Sequence, residues 1–298
     1  MVENMNLLSL FDYSGDWSQP YRDNGWGTLQ VDIKFPDVGA SPAFRDVFEF
    51  NTVEDLYENI DPSPNGMICA PPCTDFAGSG ARWWAGKDAD GTTQKSIDLL
   101  YQVFDLVEIL RPDFWVIENP VGRLNSLIPE NDFHFLFEGN DRPNFGKPQY
   151  FNPCDYAGYL DLSSDDLDYL AEIDKKDGVG VTFADWEHII KCNAYTKKTG
   201  LWGEFTMPEP KPIKPVKAGG STIGTSAMNR LGGKSDKTKE LRSNAPDGFG
   251  KAFFEVNQGG YNRWIAEMDG PDYIQYELEN NPVNPKDTRA LSIIEQYN

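Results

Sequence analysis

Cysteine and histidine are scarce in this sequence of 298 residues, which has four cysteines and two histidines. The cysteines are Cys69, Cys73, Cys154 and Cys192, and they follow none of the spacings of known zinc motifs. So few cysteines also argue against a disulfide framework. We therefore expect a reduced cytoplasmic protein with thiols and no metal.

Long hydrophobic runs are missing as well, and no stretch is apolar enough to span a bilayer. The first residues, "MVENMNLLSLFDYSG", are acidic and lack the basic region with which a signal peptide begins. Neither a membrane partner nor secretion is expected from this pattern.

Basic residues are outnumbered, with 27 Lys and Arg against 47 Asp and Glu, which gives a net charge of −20. This balance alone argues against nucleic acid, because neutralising phosphates requires cationic side chains. The charges are nevertheless segregated along the chain. Residues 155–190 contain ten acidic and two basic residues, and residues 211–251 contain nine basic and three acidic residues. Nucleic acid therefore remains possible through one face.

Over the first 120 residues, short apolar runs alternate with segments whose apolar residues have the spacing of a helix. The segments "NLLSLF", "GTLQVDI", "GMICAPP" and "FWVIENP" are short strand candidates, and "TTQKSIDLLYQVFDLVEILRP" has the spacing of a long amphipathic helix. Strands that alternate with helices indicate an open, doubly wound parallel α/β sheet. Such sheets bind ligands at the carboxyl ends of their strands, where we expect Gly15, Asp32, Cys73 and Glu118 to converge.

The second half of the chain is less regular. Helices are predicted at "SSDDLDYLAEI" and "TFADWEHIIK", and "PEPKPIKPVKAGGST" is predicted to be a Pro/Lys-rich linker or hinge. We predict four segments: a cofactor-binding and catalytic α/β domain, a small irregular second lobe with the acidic insertion and the linker, late helices that return to the catalytic domain, and a tail. Their bounds are residues 1–154, 155–229, 230–258 and 259–298.

Two short motifs follow consecutive strands, "APPC" at residues 70–73 and "ENP" at residues 118–120. This pair resembles the cytosine-C5 DNA methyltransferases, which have Pro-Cys after one strand and Glu-Asn-Val after the next. Further stretches resemble the family's motifs in the same order. They are "LLSLFDYSG", "VDI", "RDVFEF", "AYTKKTGLWG" and "PDGFGKAFFE". The arrangement is most similar to compact members carried by phages and prophages, and covers residues 5–125 well and 190–258 loosely.

The resemblance implies a Rossmann-like fold that binds S-adenosylmethionine and modifies cytosine in double-stranded DNA. Cys73 would be the thiolate that adds to carbon 6 of a flipped cytosine, and Glu118 would share a proton with ring nitrogen N3. The residues implied for the cofactor are Phe11, Ser14, Gly15, Asp32, Ile33, Asp46, Val47 and Pro71. Those implied for the nucleic acid or substrate are Pro72, Arg82, Asn119, Arg123, Lys197 and Lys198.

The sequence departs from the family pattern at several positions. Tyr13 and Asp16 stand where the first motif usually has glycine, and the basic motif has Tyr195, Lys197 and Thr199 in place of a glutamine and two arginines. The usual Gly-Asn-Ser-Val motif is absent, and Asn257 is a possible substitute. No long recognition domain separates the basic motif from the late helices.

Simpler structural interpretations exist for the same residues. A lone cysteine at a strand end is usually part of the core, which is the interpretation for Cys69, Cys154 and Cys192, and Trp83 and Trp84 are expected to pack within a lobe. Three functional hypotheses result: a phage-type DNA methyltransferase, the same chemistry on a free cytosine nucleotide or RNA, and a non-catalytic acidic binding protein. The sequence does not predict an oligomeric state.

Overall fold

The computed structural model describes most of the amino-terminal half and parts of the carboxyl-terminal half of the chain. The described residues are 5–35, 64–110, 112–128, 147–176, 180–217 and 245–258. The chain divides into two compact units, the first formed by residues 1–149, 200–205 and 259–298 and the second by residues 150–199 and 206–258. The predicted tail at 259–298 lies outside the described residues.

Six strands form one sheet, in the order β2-β1-β3-β4-β6-β5. The strands are β1 (Asn6–Leu10), β2 (Gly27–Val31), β3 (Gly66–Cys69), β4 (Phe114–Pro120), β5 (Gln149–Phe151) and β6 (Thr199–Glu204). The first four strands are parallel, and the crossover from β2 to β3 passes to the other side of β1. The predicted open α/β sheet is confirmed.

The register of the parallel strands aligns their carboxyl ends. Leu10 is paired with both Val31 and Cys69, and Cys69 is paired with Ile117. The chain therefore leaves β1, β2 and β3 at one edge of the sheet, beyond which β4 continues to Pro120. The strand order reverses between β1 and β3, and a crevice at such a switch point is where open α/β sheets bind ligands.

The described part of the first unit also contains four helices. They are α1 (Gln19–Asp23), α2 (Trp84–Ala89), α3 (Thr92–Leu110) and α4 (Leu124–Leu127). Helix α3 has the predicted amphipathic spacing, and its apolar face is buried against Trp115 and neighbouring strand residues. Full burial of a Val, Leu, Ile or Phe side chain on this face stabilises the fold by roughly 1.5–3 kcal/mol. No helix in the described part of the chain has the length and apolar character that crossing a bilayer needs.

The described part of the second unit is mostly helical. It contains α5 (Pro153–Tyr156), α6 (Ser164–Lys175), α7 (Phe183–Lys191) and α8 (Asp247–Asn257). The two helices predicted in the acidic segment are thus confirmed as α6 and α7. Each begins with a capping box, at Ser163 and Thr182 respectively. The unit has its own core, in which Ile173, Ile189 and Tyr195 are buried.

The Pro/Lys-rich segment is not a free hinge over residues 208–217. Its main chain forms hydrogen bonds along the second unit, from Gly158 N to Lys211 O (2.8 Å), from Ile213 N to Cys154 O (2.9 Å) and from Val216 N to Ala194 O (2.8 Å). Lys214 also forms an ion pair with Asp174 of the acidic helix α6, at 2.7 Å. Proline removes donors without preventing an extended strand-like path, so composition alone suggested a linker.

Candidate active site

The loop after β1 begins with an unusual backbone conformation. Phe11 has a φ of 61°, in the left-handed region that bulky side chains rarely adopt. Its amide nevertheless donates to Val31 O at 2.8 Å, so the turn is fixed to the end of β2. Backbone strain of this kind costs about 1–3 kcal/mol and tends to occur at functional sites.

Asp12 organises the rest of this loop, which continues to residue 18. Its buried carboxylate accepts hydrogen bonds from Ser9 Oγ (2.8 Å), Ser18 Oγ (2.6 Å) and Gly15 N (3.1 Å). Gly15 has a φ of +75°, and a Cβ there would lie 2.7 Å from the Arg22 guanidinium. The positive φ therefore favours glycine at residue 15, and a side chain there would also displace the Arg22 guanidinium.

The end of β2 presents a carboxylate beside apolar side chains. Asp32 is buried at the strand end, where Oδ1 accepts from Lys34 N at 2.8 Å. Within the described part of the chain, Asp32 Oδ2 accepts no hydrogen bond. Ile33 is 69% exposed and Tyr13 is 50% exposed. A carboxylate next to an exposed apolar residue such as Ile33 suits a nucleoside, whose ribose donates hydrogen bonds and whose base is flat and apolar on its faces.

The loop after β3 carries the predicted nucleophile. Pro71 is buried, Pro72 is exposed, and Cys73 begins a short 3-10 turn that ends at Asp75. Cys73 is half-buried, whereas the other three cysteines are buried, and none of the four forms a disulfide. Burial raises the pKa of Cys69, raises that of Cys154 to about 12 and raises that of Cys192 to about 11. Cys73 is thus the accessible thiol, while Cys69 belongs to the core as predicted.

Asp75 fixes the turn that contains Cys73. Its buried carboxylate pairs with Lys87 and accepts from Ser96 Oγ at 2.5 Å. Burial alone would raise the pKa of Asp75, but the hydrogen bonds and charges of Lys87, Ser96 and Arg123 outweigh it and hold the pKa below its ordinary value. The 3-10 turn is therefore anchored to α2 and α3 through one ionised side chain.

The carboxyl-terminal end of β4 is joined to the loop after β3, which carries Cys73 and is called the thiol loop below. Glu118 is half-buried, and its neighbour Asn119 is fully buried and donates from Nδ2 to Pro71 O at 3.3 Å. This bond directly connects the two motifs that were paired from the sequence. In the described structure Asn119 Oδ1 has no hydrogen-bond partner, which leaves a buried acceptor next to both motifs.

Main-chain hydrogen bonds also join the loop after β3 to the loop after β4. Gly78 N donates to Val121 O at 3.1 Å, and Arg123 N donates to Phe76 O at 2.9 Å. The two loops approach each other so closely that a Cβ on Gly122 would lie 1.8 Å from Phe76 O. The residues of the two motifs are consequently held in one small assembly.

Two arginines predicted to contact substrate differ in their surroundings. The guanidinium of Arg123 donates to Asp75 O (2.9 Å), Asp88 (2.8 Å) and Thr93 Oγ1 (2.9 Å), and lies over the Trp84 ring. These contacts give Arg123 a structural role that the sequence did not predict. Arg82 is exposed and lies over the ring of Trp83, which is 60% exposed and does not pack in a lobe as expected.

The remaining predicted site residues lie elsewhere. Asp46 and Val47 are outside the described residues, and Ser14 is exposed in the first loop. Lys197 and Lys198 belong to the second unit, where the Lys198 ammonium lies 4.2 Å from the centroid of the Tyr150 ring. The side chain of Asn257 accepts from Thr206 N at Oδ1 (2.8 Å) and donates from Nδ2 to Thr206 O (3.0 Å), so Asn257 is a buried structural residue of the second unit.

Three residues of the site were missed from the sequence: Asp12, Asp75 and Gly122. Asp12 lies inside the quoted segment "LLSLFDYSG", whereas Asp75 and Gly122 each follow a quoted motif by two residues. A polar residue next to an apolar strand end was the available signal for both acids. Their partners are side chains up to 21 residues away, which no local pattern identifies.

Comparison with known proteins adds little detail. No known protein family matches the chain, and neither does any curated protein. A solved structure described as a DNA modification methyltransferase encoded within an E. coli prophage is similar, with 16% identity, a TM-score of 0.40, and coverage of 71% of this chain and 52% of that chain. A methyltransferase of Entamoeba histolytica has 12% identity, a TM-score of 0.32, and coverage of 73% and 58%.

The chain thus spans a little over half the length of the solved structures that it matches.

Proposed function

We propose that this chain is an S-adenosylmethionine-dependent DNA methyltransferase that acts on carbon 5 of cytosine. The observation that carries the proposal is the position of Cys73, the accessible thiol, in a loop bonded through Asn119 to the strand end that bears Glu118. A thiol and a carboxylate at adjacent carboxyl ends of a parallel sheet suit covalent catalysis assisted by a general acid.

Cys73 and Glu118 have complementary roles in this chemistry. Cys73 loses its proton to solvent, its sulfur bonds to ring carbon 6, and Glu118 protonates N3 so that negative charge does not accumulate on the ring. Carbon 5 thereby becomes nucleophilic. After methylation, carbon 5 loses its proton to solvent, N3 returns its proton to Glu118, and the sulfur departs. S-adenosylmethionine supplies the electrophilic methyl group.

The cofactor would be held at the ends of β1 and β2. The Asp32 carboxylate, with Oδ2 available, suits the ribose hydroxyls, and exposed Ile33 suits the adenine face. Phe11, Ser14, Gly15 and Pro71 line the neighbouring turns, and Asp46 and Val47 complete the set by resemblance.

Double-stranded DNA is the proposed partner, and the biological role is protection of phage DNA from restriction in a bacterial cytoplasm. Pro72, Arg82, Asn119, Lys197 and Lys198 are the proposed contacts, and a duplex cytosine would have to flip out of the stack to reach Cys73. Arg123 would stabilise the Cys73 turn through its hydrogen bond to Asp75 O.

A free cytosine nucleotide or RNA is the second candidate substrate, favoured by the net charge of −20. A non-catalytic acidic binding protein is disfavoured because it would need neither an accessible Cys73 nor Glu118.

Nucleoside mass spectrometry tests these functions. The full chain is incubated with labelled S-adenosylmethionine and duplex DNA, RNA or dCMP, in parallel with Cys73→Ala. Label in 5-methyldeoxycytidine from the duplex supports the proposal, and label from dCMP or RNA alone selects the second candidate. The absence of label from all three substrates would contradict methyl transfer to cytosine.

A further inference from the structure

Three side chains with different metal-ligating atoms meet in the second unit. They are Asp166 of α6, His188 of α7 and Cys192, which ends α7. The Cys192 sulfur lies 3.5 Å from His188 Nε2, and Asp166 Oδ1 lies 3.6 Å from the same nitrogen. All three ligand atoms are within 4.8 Å of one another.

These distances are close to those between the ligands of a zinc ion. Zinc binds sulfur at about 2.3 Å and nitrogen or oxygen at about 2.0 Å in tetrahedral geometry, so a sulfur and a nitrogen ligand lie roughly 3.5 Å apart and a nitrogen and an oxygen ligand roughly 3.3 Å apart. The sulfur–nitrogen separation of 3.5 Å equals this spacing, and the nitrogen–oxygen separation of 3.6 Å is slightly wider.

Hydrogen bonding does not account for all three groups. Nε2 has either one proton or one lone pair, and Asp166 Oδ1 and the Cys192 sulfur both face it. If Nε2 has the proton, it can donate to one of them only. If Nε2 has the lone pair, the carboxylate faces another acceptor. A cation between the three atoms satisfies the carboxylate, the imidazole and a thiolate together.

The surrounding structure holds each ligand in place. Asp166 is fixed by the capping box, in which its Oδ2 accepts from Ser163 N at 3.0 Å, and Oδ1 is left to face the cluster. His188 and Cys192 are four residues apart and so project from one side of the helix. The His188 ring packs edge-on against Tyr169, with centroids 4.8 Å apart. Supporting contacts of this kind orient metal ligands in known sites.

We propose that Asp166, His188 and Cys192 bind a zinc-like divalent cation that braces α6 against α7. A mixture of sulfur, nitrogen and oxygen ligands suits zinc better than magnesium or calcium, which prefer oxygen. Asp166 and His188 are 28% and 18% exposed, so solvent can supply the fourth ligand. On binding, a metal–sulfur bond forms and the Cys192 thiol proton passes to the buffer. The proposal does not depend on methyltransferase activity.

Cobalt titration of the full chain, stripped with chelator, tests the site. Co²⁺ should bind at one ion per chain with a thiolate-to-cobalt charge-transfer band, and Zn²⁺ should displace it. His188→Gln and Cys192→Ser should each weaken binding by at least about 100-fold, more than the loss of a supporting residue causes. Zn²⁺ at a hundred times its Kd should also raise the Tm by about 5 °C in the wild type only.

Two cysteine variants are the controls. Cys154→Ser removes a buried thiol of the same unit, and Cys73→Ser removes the accessible one; both should retain the band. If Cys192→Ser does not fold, far-UV circular dichroism will show it, and half-exposed His188→Gln then decides. Absence of the band, or a band lost with Cys73→Ser but not with His188→Gln, would overturn the proposal.

Discussion

The loops after β1 and β3 are each built around a buried aspartate, but the two acids are stabilised differently. Asp12 accepts from hydroxyls and an amide within six residues of itself. Asp75 accepts from Lys87 and Ser96, which are 12 and 21 residues away, and Arg123 adds its charge. The carboxylate of the first loop is therefore satisfied by neighbouring hydroxyls and an amide and forms no ion pair within the described residues, whereas the carboxylate of the thiol loop depends on long-range ionic contacts.

This difference corresponds to the two proposed tasks. A cofactor loop must present a fixed turn, which local hydrogen bonds achieve. A loop that directs a nucleophile must also resist displacement when the sulfur forms and breaks a bond, and anchoring to two helices provides that resistance. The comparison yields four predictions, in order of decreasing effect.

Cys73→Ala should separate the two tasks most sharply. Methyl transfer should fall by at least about 10⁴-fold, since loss of a nucleophile abolishes the covalent step. The rise in Tm caused by S-adenosylmethionine should be nearly unchanged, because the loops after β1 and β2 are intact. Activity equal to that of the wild type would disprove the nucleophile assignment, and Cys154→Ser is the matched control.

Gly122→Ala should damage the thiol loop without touching the first loop. The new methyl group would meet Phe76 O at 1.8 Å, a main-chain atom that cannot move aside. We expect a loss of about 2–3 kcal/mol in the free energy of unfolding, measured with urea.

Gly86→Ala is the control for Gly122→Ala. Gly86 lies inside α2 with open space around it. Alanine there should stabilise the protein by about 0.5–1 kcal/mol, because glycine is a poor helix residue. Equal effects of the two changes would contradict the close approach of the loops.

Asp75→Asn tests whether charge stabilises the thiol loop. At pH 7 the change should lower the free energy of unfolding by about 2 kcal/mol, since a carboxylate bonded to a cation is lost. The pKa of Asp75 is lowered in the folded state, so its contribution is complete above the unfolded pKa and disappears as the pH falls through the folded pKa.

Denaturation of wild type and Asp75→Asn at several pH values from 7 downward gives the difference between their free energies of unfolding. It should shrink on acidification below about pH 4. Exposed Asp98→Asn on α3 should change stability by less than about 0.5 kcal/mol throughout. A difference that does not depend on pH would argue against the ionic anchor.

Asp32→Ala should affect only the affinity for the cofactor, and its effect should be the smallest of the four. Loss of the proposed ribose contact should weaken S-adenosylmethionine binding about tenfold, close to 1.4 kcal/mol. Calorimetric titration measures this directly. Unchanged affinity would remove Asp32 from the cofactor site, and exposed Asp23→Ala, at the end of α1, serves as the control.

Strand positions were predictable because apolar runs bounded by turn residues are local signals. The segment "FWVIENP" became β4 in full, and the register through Leu10 and Cys69 aligns the carboxyl ends of β1 and β3. The convergence of Gly15, Asp32, Cys73 and Glu118 at that edge stays a prediction. The contacts that stiffen this edge were not predictable. Arg123, Asp75 and Lys87 are ordinary charged residues in sequence, and only the folded chain brings them together.

Two predictions made from composition and residue type were wrong because tertiary contacts determine the structure at those positions. The Pro/Lys-rich segment reads as a linker, yet residues 208–217 are bonded along the second unit. Trp83 reads as a packing residue, yet most of its ring faces solvent. In both cases the deciding factor is which partner is nearby, and that is a property of the tertiary structure.

The hydrogen bonds between the loops after β3 and β4 also have a consequence for local unfolding. The amides of Gly78 and Arg123 donate across the gap in opposite directions, so neither loop can open while the other stays closed. Their hydrogen exchange should therefore proceed through one shared opening event with a common free energy. Chain fluctuations that open the loop with the Cys73 turn would therefore also open the loop that follows β4, the strand that bears Glu118.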